Sequence, residues 1–144
     1  MPLAFDLRAT GPSDFDFCWP IYRDAMQPLA EALMEWREPA QRRIVERALA
    51  DPGSSILRTE GTDSGWLHVE ETGHVIQLRQ LYVVPDMRNR GLGTSFLTWM
   101  KERADRKRKD LTLDVLANNP ACRLYERLGF KAVATSDNKI TMRY

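Results

Sequence analysis

Leu81-Tyr82-Val83-Val84-Pro85-Asp86-Met87-Arg88-Asn89-Arg90-Gly91-Leu92-Gly93-Thr94 joins an apolar, β-rich run to a basic turn, two glycines and the start of a helical pattern. A helix start leaves backbone N–H groups unpaired and carries the positive end of the helix dipole. Glycines there let an anion reach the backbone, and neighbouring arginines favour it further. The stretch therefore reads as a cradle for phosphate or pyrophosphate. A plain β-turn running into a helix cap is the other reading, since glycines are common in such turns. Two familiar phosphate loops are excluded. Thr94, Ser95 and Phe96 follow Gly93, so the third glycine of a dinucleotide fingerprint is missing, and so is the lysine of a P-loop.

What remains is Arg88-x-x-Gly91-x-Gly93 behind a strand that ends at Pro85. This pattern resembles the acyl-coenzyme A loop of the GNAT N-acetyltransferases. A second segment, Asn118-Asn119-Pro120-Ala121-Cys122-Arg123-Leu124-Tyr125-Glu126-Arg127-Leu128-Gly129-Phe130, resembles that family's N-x-x-A-x-x-L-Y-E-x-x-G-F. The two lie in the family's order, and the resemblance covers roughly residues 65–144.

Composition narrows the class without naming a chemistry. A chain of 144 residues, 43% hydrophobic and 28% charged, is expected to form one domain over 1–144 with a sizeable core. With 21 basic against 20 acidic residues, no global field draws in nucleic acid. No apolar run approaches the ~20 residues of a membrane span, and the N-terminus lacks a signal-peptide pattern. Two cysteines, Cys18 and Cys122, argue against a disulfide scaffold and for a reducing, cytoplasmic setting. No metal, membrane or nucleic-acid partner is expected.

Periodicity supplies the elements. Leu3 to Ala9 alternates as a first strand. A helical region capped by Ser13 follows, which Pro20 and Pro28 should kink or divide. Pro39 opens a second helix with Ile44, Val45, Ala48 and Leu49 on one face, and Asp51-Pro52-Gly53 stops it. Strands are expected at 54–59 and 65–71 around a turn at 61–65, then at 74–84. A helix over 94–108 buries Leu92, Phe96, Met100 and Ala104. A strand at 111–116, a short helix at 119–128 and a terminal hairpin at 130–135 and 139–144 complete the order. The strand–helix–strand around the cradle implies one parallel pair in an otherwise antiparallel sheet. The resemblance implies the same α/β (α+β) class: a mixed, mostly antiparallel twisted sheet of six to seven strands flanked by about four helices.

What the resemblance implies for chemistry is an N-acetyltransferase with acetyl-CoA as cosubstrate and a primary amine as acceptor, by direct attack in a ternary complex. Carried over by position, the cradle donors are Arg88, Asn89, Arg90, Gly91, Gly93 and Thr94. Val83 offers a main-chain N–H to the thioester carbonyl, and Asn118 holds the pantetheine arm or its surroundings. Tyr125 protonates the departing thiolate, which a phenol can do. Packing beside Leu124 and Leu128 is the plainer role for Tyr125, and a loop cap the plainer one for Asn118. The strand at 74–84 contains no carboxylate, so the general base stays open among His68, Glu70, Glu71, Asp24, Glu31 and a water chain. The basic run Lys101–Asp110 suits a helix C-terminus. Tyr22 and Trp36 are candidates for the acceptor wall. A small-molecule amine is the expected acceptor, with a protein N-terminus or lysine as the alternative. A CoA-binding sensor without turnover is the competing function, and exposed strand edges allow a homodimer.

Overall fold

A computed structural model describes residues 3–144. Among them the elements run β1 (Asp6–Ala9), α1 (Phe15–Glu31), α2 (Glu38–Leu49), β2 (Ser54–Thr59), β3 (Thr62–Glu71), β4 (Val75–Val83), α3 (Leu92–Lys107), β5 (Asp110–Leu116), α4 (Cys122–Arg127), β6 (Lys131–Thr135) and β7 (Lys139–Arg143). The strands form one seven-stranded sheet in the order β1-β2-β3-β4-β5-β7-β6. Only β4 and β5 are parallel, because α3 crosses between them and returns the chain to the same end. The mixed sheet and four helices are the architecture expected from the sequence.

Each face of the sheet has its own core. On one, Phe96, Leu97, Met100 and Ala104 of α3 pack on Ile76, Leu78, Leu111, Leu113 and Met142. On the other, Cys18, Trp19, Ile21 and Tyr22 of α1 and Val45 and Leu49 of α2 close over Ile56 and Trp66. The helical spacing of Leu92, Phe96, Met100 and Ala104 thus becomes the buried stripe of α3, as expected.

Several boundaries differ from the sequence reading, each for a physical reason. The first strand starts at Asp6; Leu3 and Phe5 instead pack on the α3-side core, and the Leu3 N–H donates to Ser95 Oγ at 2.8 Å. α1 runs unbroken through Pro20 and Pro28. The carbonyls that lose a partner belong to Asp16 and Asp24, four residues back, and both residues are exposed, so water replaces the missing bonds. The β2–β3 turn is Glu60-Gly61, both at positive φ, rather than 61–65. The strands pair as far as Thr59↔Thr62, where Thr59 Oγ1 and Ser64 Oγ share a buried 2.6 Å hydrogen bond. Ile44, placed on the buried face of α2 by spacing, is 42% exposed.

The feature that matters most for function is in β4. His68↔Gln80 and Val69↔Leu78 are successive pairs of the β3–β4 ladder, so Arg79 is an extra, unpaired residue. Such a bulge bends its strand and increases its twist. The parallel β4–β5 ladder stops at the same level, at Leu78↔Leu113, although both strands continue. Beyond it they diverge and leave a gap in the middle of the sheet.

The turn between α2 and β2 presses on β3 at this bulge. The Val69 N–H donates to the Gly53 carbonyl at 3.0 Å, and a Cβ on Gly53 would lie 1.8 Å from the Val69 carbonyl oxygen. Gly53→Ala should therefore destabilise the fold by roughly 1–3 kcal/mol, the usual scale of overpacking. Gly73→Ala, where nothing lies within 4 Å, should be nearly neutral. Urea unfolding of the two variants checks this; equal midpoints would show that the 51–53 turn yields without cost.

Candidate functional site

Two chambers open on the gap between β4 and β5, and they share Met26, Leu81, Tyr82, Asn119 and Tyr125. The first is a groove of about 830 Å³ over the N-terminus of α3. Pro85–Met87 makes one turn of 3-10 helix after β4, Asn89 and Gly91 adopt left-handed backbone, and Gly91 caps α3. The first α3 hydrogen bond is Ser95 N–H to the Gly91 carbonyl. The N–H groups of Leu92, Gly93 and Thr94 precede it and have no helical acceptor. A Cβ at Gly91 or Gly93 would meet nothing within 4 Å, so backbone is open to a ligand at both.

Arg88 is used differently from the sequence expectation. Its backbone N–H is taken by the Pro85 carbonyl at 3.2 Å, and its Nε donates to the Val83 carbonyl at 3.0 Å. The side chain thus straps the loop to the end of β4, with its terminal guanidinium nitrogens beyond that bond. Arg88, Asn89, Gly91, Gly93 and Thr94 line the groove; the exposed Arg90 does not. Leu92 also borders the groove, although its side chain is core as the sequence suggested.

Val83 sits where the sheet parts. The Val84 N–H donates to the Ser64 carbonyl at 2.9 Å. Strand alternation turns the Val83 N–H to the opposite edge, where β5 has already left the ladder. Tyr125 of α4 borders both chambers with its ring edge-on to Phe130. Burial, with a smaller contribution from Cys122, pushes its phenol up to about 12. The group is a neutral O–H donor at any physiological pH. Asn118 is not a groove residue: its Nδ2 donates to the Leu29 carbonyl at 3.0 Å and ties the β5–α4 loop to α1. Asn119 borders both chambers instead, and its Oδ1 accepts the Ala121 N–H in an Asx turn.

The second chamber, about 400 Å³, lies between α1–α2 and the bulged part of β4. Tyr22 and Trp36 line it, as the sequence suggested. None of the carboxylate or histidine candidates for a base does. Asp24 pairs with Arg23 and Glu31 accepts from Gln27 on the outer face of α1. Glu70 pairs with Arg79, and Glu71 holds Lys107 and Lys109 at 2.7 and 3.0 Å, which depress its carboxyl to about 2. His68 is buried with its Nε2 3.4 Å from Asp51 Oδ1, away from both chambers. The one carboxylate among the described residues lining either chamber is Asp114, whose Oδ1 accepts the Thr141 hydroxyl at 2.6 Å. In the sequence it lies inside the strand expected at 111–116. Its alternation with Leu113 and Val115 was the available signal that it lies off the core face.

The remaining motifs are structural. Lys107 and Lys109 brace the end of α3 against β3. Cys18 is fully buried with its thiol pushed up to about 12 by burial, and burial also raises the Cys122 thiol.

A family profile described as an acetyltransferase (GNAT) domain matches residues 51–132, which contain β2 through α4 and, of the residues the two chambers share, all but Met26. No functionally curated protein matches the chain by sequence. Among solved structures, the chain is similar to the PaiA N-acetyltransferase of Thermoplasma acidophilum in complex with coenzyme A (15% identity, 98% of each chain, TM-score 0.76). It is also similar to apo YjaB of Escherichia coli (17% identity, 99% of this chain and 98% of that one, TM-score 0.77). A third is the ribosomal-protein-S18-alanine N-acetyltransferase of Escherichia coli (20% identity, 97% and 92%, TM-score 0.68). At these identities the likeness establishes the fold. No helix among the described residues is long and apolar enough to cross a membrane.

The aromatic wall has a pH consequence. Burial raises Tyr22 to about 12 and holds Tyr82 well above the usual phenol range, Tyr125 is likewise near 12, and the Asp105 hydrogen bond raises Tyr144. These are all four tyrosines of the chain. Each raised value favours the protonated form in the folded state, so the tyrosine contribution to stability is undiminished below about pH 10 and is lost as pH climbs through the raised values, about 12 for Tyr22 and Tyr125. Phenolate absorbance of the folded chain should rise later than that of the urea-unfolded chain. Tyr22 or Tyr125 titrating near pH 10 in the folded protein would contradict the burial described.

Proposed function

The chain belongs to the GNAT acetyltransferase family, and on that premise we propose that it transfers the acetyl group of acetyl-CoA to a primary amine of a small molecule across the gap between β4 and β5. Bound acetyl-CoA supplies a thioester carbonyl that an amine can attack. The main-chain N–H groups from Asn89 to Thr94 bind the diphosphate, favoured by the α3 dipole and the Arg88 guanidinium. Open space over Gly91 and Gly93 and a groove of about 830 Å³ support the fit. Arg90 contributes its N–H only, and Asn118 positions the groove lip through Leu29.

The unpaired Val83 N–H at the end of the interrupted ladder carries this reading. A donor fixed by the sheet and aimed where carbonyl oxygen gains charge stabilises addition without reorganising. As nitrogen adds and the carbon–sulfur bond breaks, the Tyr125 phenol donates its proton to sulfur. The proton lost by the amine goes to Asp114, directly or through one water, since Asp114 is the cleft's carboxylate. The phenol and the carboxylate together favour turnover over a CoA-holding sensor. The bounded second chamber favours a small acceptor over a protein lysine or N-terminus.

Stabilisation by acetyl-CoA, CoA, NADH and ATP tests the cradle. A ligand at ~100 times its Kd stabilises by about 2.7 kcal/mol. Acetyl-CoA and CoA should raise the melting temperature, NADH and ATP should not, and Gly93→Val should abolish the effect by filling the cradle. Tyr125→Phe should keep CoA affinity and lower kcat by roughly a hundredfold. Stabilisation that persists in Gly93→Val, or an unchanged kcat in Tyr125→Phe, would overturn these assignments.

A further inference from the structure

We propose that the acceptor carries a single ammonium on an apolar, arylalkyl or branched-alkyl body, and that polyamines and basic peptides are poor acceptors. This rests on the acetyl-transfer reading and names the class of amine that the second chamber admits.

The chamber's α1–α2 wall is largely apolar, while its polar groups lie mostly on the strand side. Tyr22 packs edge-on against Tyr82 with ring centroids 5.5 Å apart and tilts against Trp36 at 6.2 Å. Met26, Met34 and Ile44 extend this wall to the mouth, where Met34 and Ile44 are 39% and 42% exposed. Large apolar side chains left in water beside a cavity gain by being covered, about 25 cal/mol for each Å² of apolar surface removed from water.

The charged groups of the strand side select against extra positive charge, and two of the chamber's amides already accept a tyrosine hydroxyl. The Tyr22 hydroxyl donates to Gln41 Oε1 at 2.5 Å, and the Tyr82 hydroxyl donates to Gln80 Oε1 at 2.6 Å. Each of these carbonyl oxygens thereby accepts one internal hydrogen bond and keeps one lone pair for a ligand, and Gln77 adds a third neutral amide, so the chamber offers an ammonium dipoles but no second negative charge. One carboxylate, Asp114, remains for one ammonium. Arg79 and Lys139 also border the chamber; Arg79 is paired with Glu70, while Lys139 has no carboxylate within 4.0 Å among the described residues. A second ammonium on the ligand would find no counter-charge and would meet Lys139. An apolar body meets rings and methionines instead.

The test compares CoA release with 2-phenylethylamine, 3-methylbutylamine, spermidine and a lysine-containing peptide, after acetyl-CoA stabilisation of the same preparation has been established. The apolar monoamines should exceed spermidine and the peptide in kcat/KM by about tenfold or more, the usual value of a filled hydrophobic site. Ile44→Glu changes an exposed rim residue and does not threaten the core. It should raise KM for the apolar amines and raise kcat/KM for spermidine, leaving acetyl-CoA stabilisation intact. Trp36→Ala should raise KM for 2-phenylethylamine more than for 3-methylbutylamine. Spermidine or the peptide as the better wild-type acceptor, or selectivity unmoved by Ile44→Glu, would overturn the inference. Acetyl-CoA stabilisation without turnover of any apolar monoamine would overturn it while leaving the cradle standing. Absence of that stabilisation would overturn the acetyl-transfer reading, and this inference with it.

Discussion

One unpaired residue in the central strand, Arg79, controls the geometry of everything around it. A regular β4 would continue its parallel ladder with β5 and close the sheet. Instead the bulge between the Leu78 and Gln80 pairs twists the strand and the ladder ends at Leu78↔Leu113. The bulge also exchanges the faces of β4. Ile76 and Leu78 point into the α3-side core before it, and Leu81 and Val83 do so after it. Tyr82 and Val84 thereby join Tyr22 and Trp66 on the α1–α2 side. A gap, an unpaired N–H and an aromatic wall follow from the same inserted residue.

Such an opening is tolerated because its rim is held from several directions. The Gly53 turn is pressed against β3 beside the bulge, so the strand cannot relax toward a regular ladder. Arg88 Nε binds the Val83 carbonyl and fixes the start of the cradle to the last residue of β4. Asn118 anchors the β5–α4 loop to the Leu29 carbonyl, in the last turn of α1, where carbonyls lack helical N–H partners. The first and last of these contacts join segments distant in sequence, which gives the cleft a defined width before any ligand enters.

The cleft separates two kinds of chemistry along its length. At the α3 end the walls are glycine backbone and N–H donors, suited to an anion that tracks the main chain. At the α1–α2 end they are rings, methionines and glutamines, with one carboxylate. Tyr82 and Tyr125 stand at the junction, where burial keeps both phenols protonated. The proposed transfer uses this junction: charge developing on oxygen and sulfur would meet fixed N–H and O–H donors in a place with little water.

Much of this was legible in the chain itself. The two glycines behind Pro85, the Asn118–Phe130 segment and the apolar stripe of α3 are local patterns, and local patterns determine family, element order and the position of a helix start. Boundaries failed where local rules were overridden: Pro20 and Pro28 were harmless because the freed carbonyls face water, and the Glu60-Gly61 turn was tightened by the buried Thr59–Ser64 bond. The cleft was not legible. Whether Asp114 or Glu70 faces it depends on strand register and on a single-residue bulge, and shifting alternation by one residue sends a side chain to the opposite face of the sheet. The sequence by itself determined the family, the element order and the glycine-flanked start of α3, because these follow from neighbours along the chain. Only the tertiary structure decided which carboxylate, which amide and which rings line the cleft, because they meet across strands whose alignment no local pattern encodes.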